Sequence, residues 1–379
     1  MKKYFFFAAA ALVALAACSK VTPVEDPDQE IAFKLINYAN STKANVKLGD
    51  DVHFGVFAFA NNADWSEEST TTTNVYMNNV EIYNQGTQAE PVWKGAQSYF
   101  WPKKAKLTFA AYSPYEAAAP TFAKATGFTF MDYTIPDRAN EDLMVADLAK
   151  DKTANEKVYI NTSDVKEGVP TLFHHLLTDL NFQFKRAGYD NPNVVEESSF
   201  ITVKKAELVN FVNKKTYTGF GDPNVTTDWP ANTEAGSATY TVAENLANLT
   251  VTVSGETVTP VVVPVGSAGK LTDFIVMPQT LVNKAENATD DTGYQALKVT
   301  YNISTTYNTG TTLLEENIVT YVPFYGSLKT GETAAVNEFK KNQKIVYTVT
   351  IYPYAQDEIL FDPAVVDWDA TTTGTIDIK

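Results

Sequence analysis

A chain of 379 residues with 44% hydrophobic and 12% aromatic side chains can fill the cores of two ordinary domains, which excludes general disorder. Its 45 acidic against 30 basic residues, formally −15, exclude the concentrated positive charge needed to bind nucleic acid or to adhere to anionic lipid heads. A single cysteine excludes intramolecular disulfides, so stability must come from core burial and sheet hydrogen bonding.

The first element is a leader. Met1 to Lys3 are basic, Tyr4 to Ala14 are almost wholly apolar, and Leu15-Ala16-Ala17-Cys18 follows. A charged start, a short apolar stretch and small residues before a cut site form an export signal too short to span a bilayer. This segment, 1–17, resembles a bacterial lipoprotein signal with Leu15 to Cys18 as the lipobox. The resemblance implies a covalent lipid on Cys18 and an outer-membrane destination, with no other cofactor. The plainer alternative is an ordinary export signal that happens to carry a cysteine. Loss of Lys2 and Lys3 with the leader takes the formal charge to −17, from 28 basic and 45 acidic residues. Residues 18–30 then read as an acidic, Pro-containing tether.

From Ile31 onward the chain reads as strands. Ile31 to Ile36, His53 to Ala60, Leu107 to Tyr112, Leu180 to Phe184 and Phe200 to Phe211 are rich in Val, Thr, Tyr and Phe. Leu249 to Val253, Lys298 to Ile303, Asn317 to Val322 and Ile345 to Tyr352 continue the series. Only Asn140 to Leu148 and Leu172 to Leu180 look helical. Closely spaced strands without long helices between them predict antiparallel β-sandwiches. Gly219 to Gly236 is rich in Gly, Pro and Asn and is the candidate linker between an N-terminal domain, 31–218, and a C-terminal domain, 237–379.

Catalytic chemistry is hard to find. The three histidines are His53, His174 and His175, and the adjacent pair cannot point the same way from a regular element. There is no HExxH, no cysteine cluster, no nucleophile elbow and no phosphate-cradling glycine loop, so neither an enzyme nor a metal site is expected. Asp290-Asp291 and Glu315-Glu316 read as solvated turns. Trp93, Trp101, Trp229 and Trp368 offer either core packing or a platform for stacking on glycans.

Several segments together resemble the fimbrillin (Mfa-like) family, the subunits of type V pili of Bacteroidales-type bacteria. They are Phe54 to Phe59, Tyr99 to Pro102 leading to Leu107 to Pro114, and Asp142 to Ala146. Phe173 to Phe184, Asn342 to Ile351 and Val365 to Trp368 complete the set. The resemblance implies an all-β chain of two tandem transthyretin-like antiparallel β-sandwich domains, exported as a lipoprotein. It also implies assembly with other pilin subunits by strand exchange: a protease removes the first strand after a basic residue, and the vacated groove takes a strand from a neighbour.

In this sequence the first strand is Ile31 to Ala39, with Ile31, Phe33 and Leu35 alternating. The basic residue is Lys43, followed by Ala44. Members often carry Arg at that point, so Lys43 suits a trypsin-like protease better than an Arg-specific one. Lys43 as a plain loop residue is the alternative. The donor strand is expected in 356–379, where Ile359 and Phe361 alternate, as do Ile376 and Ile378. These residues could equally complete the subunit's own sheet. Three roles therefore stand at this point: a pilus subunit supporting adhesion, a retained anchor or tip adhesin, and a surface glycan-binding lipoprotein. A host or microbial surface receptor is a further expected partner.

Overall fold

The computed structural model describes residues 29–35, 52–67, 74–87, 89–117, 119–136, 141–159, 165–188, 198–246, 248–254, 257–267, 270–284, 292–306, 310, 312–328, 335–353 and 359–367. Among these the regular structure is entirely β, as the composition and punctuation predict. Cys18, Lys43, Ala44, Trp368, Ile376 and Ile378 lie outside the described residues.

The first half contributes β1 (Phe33–Leu35), β2 (Phe54–Asn61), β3 (Val75–Asn84), β4 (Trp93–Gly95), β5 (Lys106–Ser113), β6 (Thr121–Ala123) and β7 (Gly127–Thr134). It continues with β8 (Met144–Ala146), β9 (Ala149–Lys152), β10 (Glu156–Tyr159), β11 (Val165–Thr171) and β12 (Phe173–His175). Ten of these form one sheet in the order β10-β11-β1-β4-β3-β2-β5-β8-β12, with β9 beside β5. Val169 of β11 and Phe173 of β12 belong to one apolar cluster although their strands lie far apart in the sheet order, so the sheet curls round it. Phe54, Val56 and Ala58 of β2 point into that cluster. Phe57 and Phe59 point the other way, onto Phe128 of β7 and the aromatic ring of Phe122. Both faces of β2 are therefore covered, which is why its sequence, FGVFAFAN, is nearly continuous in apolar residues.

Further along, β13 (Thr178–Arg186), β14 (Ser198–Phe211) and β15 (Lys214–Gly219) follow. One sheet places β13 between the strand Val263–Pro264 and the strand Gln343–Ile351, with Ile359–Asp367 at its edge. A second sheet runs Ala238–Glu244, β14, Ala296–Thr306, Thr312–Pro323. Leu180, Phe182 and Phe184 of the first meet Ile201, Val203, Leu297, Val299 and Tyr301 of the second in one buried cluster, so the two sheets face each other as a sandwich. Phe182 stacks on Tyr347 at 5.7 Å between ring centres.

On its other face β13 carries a polar pin. Lys344 reaches Asp179 at 2.6 Å and Asp273 at 3.0 Å, and Asn181 donates to both carboxylates. Burial pushes the Asp179 carboxyl up to about 7 against the pull of Lys344.

Four sequence expectations change. The helical reading of Asn140 to Leu148 and Leu172 to Leu180 fails: β8, β12 and the start of β13 stand there. Leu143 to Ala146 are all buried, so no alternation betrays the strand. The ladders are mostly antiparallel, but β1 with β11 and β13 with Gln343–Ile351 are parallel. Glu315 and Glu316 lie inside the strand Thr312–Pro323 rather than in a turn. Sheet membership does not part at Gly219 to Gly236 either. β13 and β14 already pair with strands beyond residue 237, while β15 returns to β7. The stretch after Gly219 is a packed strap, in which Trp229 donates to the Leu176 carbonyl at 2.7 Å and lies on Tyr217 at 5.1 Å.

Candidate strand-exchange site

The seat of the first strand is built from residues distant in sequence. Between residues 29 and 35 the chain is extended, so alternate side chains share a face. Ile31 and Phe33 point inward and are each 3% exposed, with Leu35 partly buried behind them. Phe33 meets Phe54 and Phe109 edge-on at 5.8 and 5.6 Å, and sits in register with Trp93 of β4. Fully burying two such side chains contributes roughly 1.5–3 kcal/mol each.

Main-chain bonds hold the same segment on both sides. The Ile31 N–H donates to the Tyr99 carbonyl at 2.7 Å, and the Trp101 N–H donates to the Gln29 carbonyl at 3.1 Å. Across the strand, the Val169 N–H donates to the Ala32 carbonyl at 2.7 Å, and Phe33 to Leu35 run parallel to Val169 to Thr171. β1 thus fills a slot between β4 and β11 in mid-sheet. Without it, β4 and β11 would each expose a row of unpaired backbone groups beside an open apolar floor.

Three further features tighten the slot. Asn155 is the clamp: its amide donates to the Glu30 carbonyl at 2.9 Å, and its oxygen accepts from the Ala32 N–H at 3.3 Å and from the Trp101 indole at 3.1 Å. Lys94 pairs with the Glu30 carboxylate, and hydrogen bonds from Lys94 and Ser98 hold that carboxyl below the ordinary range. Gly168 lets β11 approach closely, because a Cβ there would lie 2.9 Å from the Phe33 carbonyl carbon.

The C-terminal candidates are placed differently. Ile359 is 6% exposed and pairs with Ile351, and the whole of Ile359–Asp367 runs antiparallel to Gln343–Ile351 with Phe361 opposite Val349. For this stretch the subunit's own sheet is the partner, as the alternative reading held. Ile376 and Ile378 fall outside the described residues.

Among the described residues the tryptophans do not make a surface platform. Trp93, Trp101 and Trp229 are 3%, 6% and 6% exposed, and Trp93 and Trp101 belong to the core beneath β1. His174 and His175 point apart, as adjacency requires, to Asp147 at 3.0 Å and Asp142 at 2.6 Å. Sequence reading missed Asn155, Gly168 and the Lys94–Glu30 pair. A lone loop Asn carries no signal of a contact 125 residues away.

Comparison with known proteins agrees with this architecture. A family profile described as fimbrillin-like matches residues 42–368, so β1 lies just before the matched region. Among solved structures, a fimbrial protein from Bacteroides vulgatus is similar at 22% identity and a TM-score of 0.53, covering 90% of this chain and 100% of that one. The tip fimbrial protein Mfa3 from Porphyromonas gingivalis matches at 11% identity and a TM-score of 0.34, covering 90% of this chain and 100% of that one. No curated protein gives a significant match. The fimbrillin-like profile spans most of the sequence, and the chain belongs to that family.

Proposed function

We propose that this protein is a structural subunit of a cell-surface fimbria, and that β1 is a placeholder strand. The observation that carries the reading is the position of β1. It is a short segment in mid-sheet, held by backbone bonds on both edges and by Ile31 and Phe33 below, yet it precedes the family-matched region. Family membership supports the pilus role and association with other pilin subunits at the cell surface.

In this reading Cys18 receives the lipid that carries the chain to the outer membrane. Cleavage after Lys43 then frees the new N-terminus at Ala44 and detaches everything before it, lipid included. β1 leaves, and the slot between β4 and β11 accepts an extended segment from a second subunit. That segment must supply inward apolar residues at alternate positions in place of Ile31 and Phe33, and backbone groups for Tyr99, Trp101 and Val169.

The donor is assigned to 368–379, because Ile359–Asp367 is already engaged along its length. Twelve extended residues reach about 40 Å, more than the seven seated residues of 29–35 require. Ile376 and Ile378 supply the alternating pair. The role is structural, without catalysis.

Replacement of Lys43 by Ala tests the trigger. The variant is expected to reach the surface as a lipidated monomer and to lose high-molecular-weight ladders. Ladders at the wild-type level would rule out cleavage at Lys43 as the step that opens the slot.

A further inference from the structure

A cleft of about 200 Å³ opens where the strap after Gly219 crosses the short ladder of Gln279–Thr280 with Glu338–Phe339. Its walls are mixed in character, with Trp229, Phe339, Pro230 and Pro278 supplying the apolar part. Three lysines also line it: Lys215, Lys340 and Lys341.

Two of the three have a carboxylate. Lys341 pairs with Asp228 at 2.6 Å, and Lys340 with Glu338 at 2.9 Å. Lys215 does not, among the described residues. It is 9% exposed, and its ammonium donates to the Pro278 carbonyl at 2.7 Å and to the Asn232 side-chain oxygen at 3.4 Å, both neutral acceptors. An ammonium has three donors, and a charge taken out of water calls for a counter-charge. Its pKa is pushed down to about 8 by burial. Of the three lining lysines, Lys215 is thus the one with no carboxylate partner among the described residues, inside a protein of formal charge −15.

We propose that this cleft binds a small carboxylate, with its anionic group on the Lys215 ammonium and its body against Trp229, Phe339 and the prolines. The ligand class is a monoanionic acid about the size of one ring. A phosphate monoester is a poorer fit, because it carries close to two negative charges and a single uncompensated lysine matches one. Two sources share this chemistry, a sugar acid and an apolar organic acid. The position of the cleft on the strap leaves it clear of the β1 slot, so its occupancy does not depend on strand exchange.

The test is a titration of the intact, purified chain carrying isotope-labelled lysines. Glucuronate and benzoate are the probes and glucose is the uncharged control. The Lys215 signal is expected to shift saturably with a dissociation constant on the order of 1 mM or tighter for at least one acid. The tighter of the two acids identifies the source. Lys215→Met is expected to abolish binding. Ala231→Glu, at an exposed lining position, is expected to weaken it at least tenfold by placing a competing carboxylate there without disturbing Lys215. No saturable shift with either acid, an equal response to glucose, or full affinity in a folded Lys215→Met variant would overturn the assignment.

Discussion

Phe33→Ala in the uncleaved chain tests how firmly the first strand is seated. The ring is 3% exposed and meets Phe54 and Phe109 edge-on, over a floor that includes Trp93 and Val169. Removing a buried phenyl group costs roughly 3–5 kcal/mol, because the surrounding core closes only partly. The assay is amide hydrogen exchange at Val169 and Trp101, whose N–H groups donate to carbonyls of the segment itself, at Ala32 and Gln29. If β1 opens as a local unit, that cost appears directly in the opening equilibrium. Exchange at those two amides should then quicken by about a hundredfold to a few thousandfold. Amides of the Gln343–Ile351 strand, in the sandwich built on β13, should change far less. A change below about fivefold at Val169 and Trp101 would refute the claim that Phe33 anchors the segment. If β1 is released on assembly, as proposed, the same substitution should leave assembled polymer unaffected.

Asn155→Ala removes the clamp on Glu30, Ala32 and the Trp101 indole, and should loosen the same amides by about 1–3 kcal/mol while the far sandwich stays unchanged. Equal protection in the variant would show that the main-chain ladder suffices alone. Lys215 predicts a pH dependence. Its folded pKa, about 8, lies below its ordinary 10.5, so between those values the unfolded chain binds more protons. Stability should therefore rise with pH across that window, by at most about 1.4 kcal/mol per pH unit, with the penalty fully present below pH 8. Denaturant melts of wild type and Lys215→Met at pH 8 and pH 10 check this. Parallel curves for the two would contradict the burial argument.

Sequence pattern alone located much of the fold, for reasons visible in particular strands. Strands with one covered face, such as Ala296–Thr306, alternate and are easy to read. So is the Ile31-Phe33 pair, both buried, although Leu35 is only partly buried and Lys34 between Phe33 and Leu35 is buried as well. β11 was invisible because Gly168 and Pro170 read as turn punctuation, when Gly168 is there to admit β1. β8 was misread because its residues are buried on every side, which erases the period. The tryptophans were ambiguous, since burial of an indole depends on distant strands. The strap after Gly219 has a linker's composition, yet Trp229 and Asp228 bind it down. Asp228 accepts from Tyr217 and Lys341, contacts that only the tertiary structure brings together.

The most direct measurement of the central claim is the N-terminal mass of the protein recovered from surface polymers. Cleavage with release of β1 predicts a chain that begins at Ala44 and carries no lipid. A polymerised chain that retains an acylated Cys18 and residues 29–35 would contradict it.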